Sequence, residues 1–111
     1  MAHTSFSAQS NPPTLAVVDE LSYADAGELR DALVEALDQV NEALHIDLSG
    51  VSSFDLAGVQ LLYASKRSAA ERGVTLSVGY GDNKKRFEKF YRFTGLAPID
   101  IPAESKNNDA Q

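Results

Sequence analysis

Two short strand-like stretches open the chain, Thr4 to Ala8 and Leu15-Ala16-Val17-Val18. Ser10-Asn11-Pro12-Pro13 between them offers the turn chemistry of a hairpin. Ser22, with Asp25 three residues on, resembles a capping box, and Leu29, Leu33, Leu37 and Val40 then share one helical face. Leu44-His45-Ile46-Asp47-Leu48 alternates apolar and polar positions as a half-buried strand does, ending at Ser49-Gly50. From Asp55 to Arg72 there is no proline and an abundance of helix formers, and Gly73 offers a helix stop.

Val74, Leu76 and Val78 alternate as a further strand. Asp82 or Asn83 can cap a third helix that ends near Gly95, with Pro98 beyond. Ile99 to Ile101 is expected to add a short edge strand, and the polar stretch from Ala103 to Gln111 has nothing with which to dock on a core. The order β-β-α-β-α-β-α predicts an α/β domain over residues 4–101. Its mixed sheet has four to five strands with helices packed on it, followed by a disordered tail over residues 102–111.

Composition narrows the function more than the fold. Hydrophobic residues make up 43 % of the 111 and charged residues 23 %, enough apolar surface for one core without staples. There is no cysteine, so thiolate metal sites and a cysteine nucleophile are excluded. No run of apolar residues reaches the length of a membrane span, and the first residues lack the form of a secretion signal, so a cytoplasmic protein is expected. A formal charge of −6 repels phosphate backbones, which speaks against nucleic acid as a partner.

The segment Leu44 to Gly73, LHIDLSGVSSFDLAGVQLLYASKRSAAERG, resembles the core signature of STAS domains. That family includes anti-sigma-factor antagonists and the cytoplasmic tails of sulfate transporters. Asp47-Leu48-Ser49 matches the end of its apolar strand, Asp55-Leu56-Ala57-Gly58 its loop and helix start, and Val59 to Gly73 its helix. Val18 to Ser22 resembles the first strand-to-helix junction, and Phe93-Thr94-Gly95-Leu96 the end of the last helix.

The resemblance implies a bacterial-type, non-catalytic module that acts in signal transduction and regulation by binding another protein. With no membrane span, the free-standing members are the ones to compare. The implied partner is a regulatory protein: an anti-sigma factor, a kinase or a chemosensory component. A homodimer stays open. In phosphorylated members the residue after the loop aspartate carries a hydroxyl, and here that residue is Leu56, which cannot accept phosphate. The implied contact surface is Phe54, Asp55, Leu56, Ala57, Gly58 and Val59.

Each of these residues also has a plainer role. Asp55 suits a helix N-cap, and Leu56 could pack inward. Ser52 and Ser53 precede the aspartate in what reads as a loop, and are the remaining hydroxyls that could take a relocated phosphate. Asp19, Glu20 and Asp47 are reminiscent of the acidic pocket of receiver domains, with Asp47 as phosphoryl acceptor, but the accompanying hydroxyl and lysine have no convincing counterparts. His3 and His45 have no acid, nucleophile or second ligand at a useful spacing, so no metal site, cofactor or catalytic residue is expected.

Lys84, Lys85, Arg86, Lys89 and Arg92 make the third helix basic, as a solvated face or a site for an acidic partner. Phe87, Phe90, Tyr91, Phe93 and Leu96 on the same helix read as core contacts. Two other functions remain beside the interaction module: a fixed structural STAS subunit of an assembly such as a lipid-transport complex, and a receiver-like phosphoryl acceptor at Asp47.

Overall fold

Alternation of buried and open positions along two central strands sets the architecture. The computed structural model describes residues 3–101. Its strands are β1 (His3–Ser7), β2 (Thr14–Leu21), β3 (Ala43–Phe54) and β4 (Thr75–Gly79), and its helices are α1 (Ala26–Asp38), α2 (Leu56–Glu71) and α3 (Lys84–Thr94). The strands lie side by side in chain order as one four-stranded sheet. β1 and β2 form the antiparallel hairpin, while β2–β3 and β3–β4 are parallel.

Both parallel connections step in the same direction across the sheet. A right-handed crossover therefore lays α1 and α2 on one face, where they pack together. Leu15, Val17, Leu44, Ile46, Leu48, Leu76 and Val78 are buried in the same core as Leu29, Leu33 and Leu37 of α1 and Val59, Leu62 and Ala69 of α2. The alternate residues Ala16, His45, Asp47 and Ser77 are only half-buried, and Val18 is exposed.

Five expectations from the sequence change, the first being Phe93, which the sequence reading places in the core but which is 90 % exposed on the outside of α3. β3 does not stop at Ser49-Gly50 but runs on to Phe54, with two irregularities in its register against β2, so Ser52 and Ser53 are strand residues rather than loop residues. Ser22 makes no capping bond to the backbone: its Oγ lies 3.4 Å from Asp25 Oδ2, a single 3-10 turn occupies Tyr23–Asp25, and α1 begins at Ala26. Asn83 likewise caps α3 by position and not by its side chain. Ile99 to Ile101 forms no strand. Instead Asp100 Oδ2 accepts from the Val78 amide at 2.7 Å, so a carboxylate takes part of the free edge of β4. The expected tail lies outside the described residues.

The last pair between β3 and β4 is Asp47 with Gly79, so residues 48–54 of β3 have no strand beside them on that side. The Asn83 amide takes over, donating to Leu48 O at 2.9 Å and Val51 O at 2.8 Å. Arg86 Nη2 donates to Ser52 O at 2.8 Å. Phe87 then stacks on Phe54 with centroids 4.0 Å apart, and Tyr80 and Tyr91 share a buried hydroxyl contact of 3.0 Å. Tyr80 also donates to Ile99 O. Burial raises both tyrosine hydroxyls above the usual phenol range, Tyr80 far above it.

Candidate functional site

The end of β3 and the start of α2 are joined through one side chain. Asp55 has extended backbone and stands as the N-cap of α2, where its Oδ1 accepts from the Gly58 amide at 2.9 Å. Its Oδ2 accepts from the Tyr23 amide at 3.0 Å, and its own N–H donates to Leu21 O at 3.1 Å. One carboxylate therefore satisfies a donor at the N-terminus of α2 and another at the β2–α1 junction, and fixes the two against each other.

The expected contact residues divide around that cap. Leu56, the first residue of α2, is 45 % exposed and does not fold into the core. Phe54 and Ala57 are half-buried, whereas Gly58 and Val59 are buried. Leu56 is thus the open part of the set, whereas the Val59 side chain belongs to the core. Tyr23, 78 % exposed on the segment whose amide Asp55 holds, joins this surface. Nothing in the sequence marks Tyr23, because Ser22 and Asp25 on either side of it carry only the pattern of a helix start.

The other candidates are dispersed. Ser52 Oγ donates to Asp19 O at 2.9 Å, where Asp19 takes a left-handed backbone with φ 74° beside the register irregularity. Ser53 is exposed. Asp47 Oδ1 accepts from the Ser49 amide at 2.9 Å. Ala16 pairs with Asp47 whereas Asp19 pairs with Val51, which sets the two carboxylate residues roughly 10 Å apart along the sheet at the rise of a strand. His45 Nδ1 lies 2.8 Å from Ser77 Oγ, and His3 lies 3.3 Å from Asp19. Among the described residues no three His, Asp or Glu side chains gather where they could hold a metal ion. No helix among them is long and apolar enough to cross a membrane.

Comparison with known proteins gives the same architecture. An anti-sigma factor antagonist from Mycobacterium paratuberculosis superposes with a TM-score of 0.66 at 22 % identity, over 99 % of this chain and 85 % of that one. The anti-sigma factor antagonist SpoIIAA in its unphosphorylated form does so with a TM-score of 0.64 at 18 % identity, over 94 % and 90 %. A crystal structure described as Mglu matches with a TM-score of 0.57 at 19 % identity over 67 % of this chain, which spans only 18 % of that one. A search of curated proteins finds no match. At these identities the superpositions speak for the fold alone. The family model described as "Mlab, STAS domain" matches residues 4–97, and the chain belongs to that STAS domain family.

Proposed function

We propose that this chain is a non-catalytic regulatory module that binds a protein partner through Leu56, Tyr23 and the neighbouring turn, with no phosphate switch at residue 56. The partner class is an anti-sigma factor, a kinase or a chemosensory component, and the reading takes the protein to be cytoplasmic as that class requires. Solved relatives described as anti-sigma factor antagonists support it at the level of fold.

One observation carries the reading: a large apolar side chain stands half in water at the first position of a rigidly capped helix. A phosphate there would add about −1.5 to −2 charges beside the positive helix end. Leucine offers instead an apolar contact whose burial is favourable at roughly 25 cal/mol per Å², and whose state no kinase can change.

That permanence equally suits a fixed subunit of a larger assembly, such as a lipid-transport complex. Phosphoryl acceptance at Asp47 draws no support from the geometry, since its carboxylate is engaged by the Ser49 amide and the acidic residues lie apart.

A photo-crosslinking amino acid placed at position 56, and separately at exposed position 34 on α1, tests the surface in the native cell. The expected result is an adduct with one protein from position 56 that position 34 does not give. No adduct from position 56, or the same adducts from both, overturns the reading. Recovery of that protein in fixed stoichiometry under all growth conditions would select the subunit over the regulator.

A further inference from the structure

The outer side of α3 concentrates positive charge in a chain whose formal charge is −6: Lys84, Lys85, Arg86, Lys89 and Arg92 are all exposed. Among the described residues, none of the five is paired with a carboxylate. Beside them lies an open groove of about 460 Å³, lined by Ser53, Phe54, Arg86, Lys89, Phe90 and Phe93. Phe93 is 90 % exposed, and Phe54 and Phe90, in edge contact with centroids 5.3 Å apart, are half-buried.

Arg86 is held in place without being neutralised. Its Nη1 donates to Asn83 Oδ1 and its Nη2 to Ser52 O, each at 2.8 Å, and its guanidinium lies 5.4 Å from the Phe54 ring centroid. Both acceptors are uncharged. A guanidinium fixed by neutral oxygens and an aromatic face keeps N–H groups for a carboxylate and loses little side-chain freedom when it binds one.

We propose that this groove docks a segment of a partner protein that carries an aromatic or large apolar side chain flanked by carboxylates. The apolar side chain would fill the space between Phe54, Phe90 and Phe93, and the acids would meet Arg86 and Lys89. The proposal rests on the reading of the chain as a protein-binding module, and adds to it a second surface and the chemistry of what that surface takes. Charge complementarity selects an acidic occupant. The chain's overall negative charge repels an extended polyanion at long range, while a short acidic segment feels chiefly the local basic field.

Selection of random decapeptides displayed on phage, against the whole chain, tests it. The expected result is enrichment of peptides with Asp or Glu beside Phe, Trp, Tyr or Leu. Their affinity should fall at least tenfold on Lys89→Glu and on Phe93→Ala, weaken with added salt, and be unchanged by Leu56→Asp. Both groove positions are exposed, so an unaltered amide spectrum should accompany each loss. Neutral or basic winners, no enrichment, or affinities indifferent to both groove variants overturn the proposal. So does pelleting with phosphatidylserine vesicles that Lys89→Glu abolishes, which would reassign the surface to membranes. Peptides lost on Leu56→Asp alone would overturn the groove while supporting the cap surface, so the two readings fail separately.

Discussion

The α-carbon of Gly58 lies so close to the carbonyl of Leu21 that a Cβ built on Gly58 would stand 2.0 Å from that oxygen. No methyl group fits at that separation, and the obstacle is backbone rather than a side chain that could turn away. The end of β2 and the first turn of α2 touch through a position that only glycine can fill. Asp55 ties the same two segments together by hydrogen bonds.

Gly58→Ala should therefore destabilise the domain by about 1–3 kcal/mol or more, the cost of forcing extra volume into a packed site, even though alanine is the better helix former. Urea unfolding gives the value. A stability equal to or above that of the parent would mean that the junction yields easily and does not hold α2 in place.

Asn83 supports the other side of β3, where no strand continues beyond Gly79. Its Nδ2 donates to Leu48 O and Val51 O, and its Oδ1 accepts from Arg86. Asn83→Asp keeps the shape but turns the donor into a carboxylate oxygen facing carbonyl oxygens, so a loss of about 2–4 kcal/mol is expected from unsatisfied acceptors and a poorly solvated charge. Asn83→Ser should cost less. The order of the two denaturant midpoints decides the point, and an aspartate variant as stable as the parent would sink it.

Alkali should unfold the protein through the tyrosine pair. The folded-state pKa values of Tyr80 and Tyr91 are raised, first by burial, and for Tyr80 next by its contact with Tyr91. The unfolded chain then releases these protons before the folded chain does. Stability is complete below about pH 10, the unfolded value, and falls above it until the folded values are passed, by roughly 1.4 kcal/mol per pH unit for each such group. Denaturant midpoints between pH 8 and pH 11 should show the decline. Tyr80→Phe should lower stability at pH 8, by leaving Ile99 O without its donor, and make the decline above pH 10 shallower. An unchanged slope would remove Tyr80 from the account.

Most of the layout was legible because periodicity and punctuation agree: Leu29, Leu33 and Leu37 mark the buried side of α1, and Gly73 and Gly95 stand just past their helices. The far half of β3 was not. Ser49-Gly50 carries the usual signal of a turn, and Ser52-Ser53 has no apolar side chain to betray a strand whose register slips twice against its neighbour. Asn83 was recognised as a cap by type, but its partners, carbonyls more than thirty residues away, follow only from where β4 ends. Of the aromatic residues on α3, Phe87 and Tyr91 are core as expected. Phe93 is turned roughly 120° or more round the helix from Phe87 and Tyr91 and faces water, which spacing alone does not separate from packing against another element.

Leu56 is where the sequence and the structure meet most directly, since its type rules out phosphorylation and its exposure rules out a purely internal role. Leu56→Asp places a charge at the first position of α2, where the positive end of the helix favours it in the free protein. Stability should consequently change by less than about 1 kcal/mol, as exposed substitutions usually do. Against the partner captured from position 56 the same charge must be desolvated with nothing to pair it, and binding should weaken by about 2–5 kcal/mol. Thermal unfolding and titration calorimetry on the same two proteins separate the cases. If stability and affinity fall together, Leu56 is holding the fold and the contact lies elsewhere. If affinity survives in a folded variant, the cap of α2 is not the docking surface.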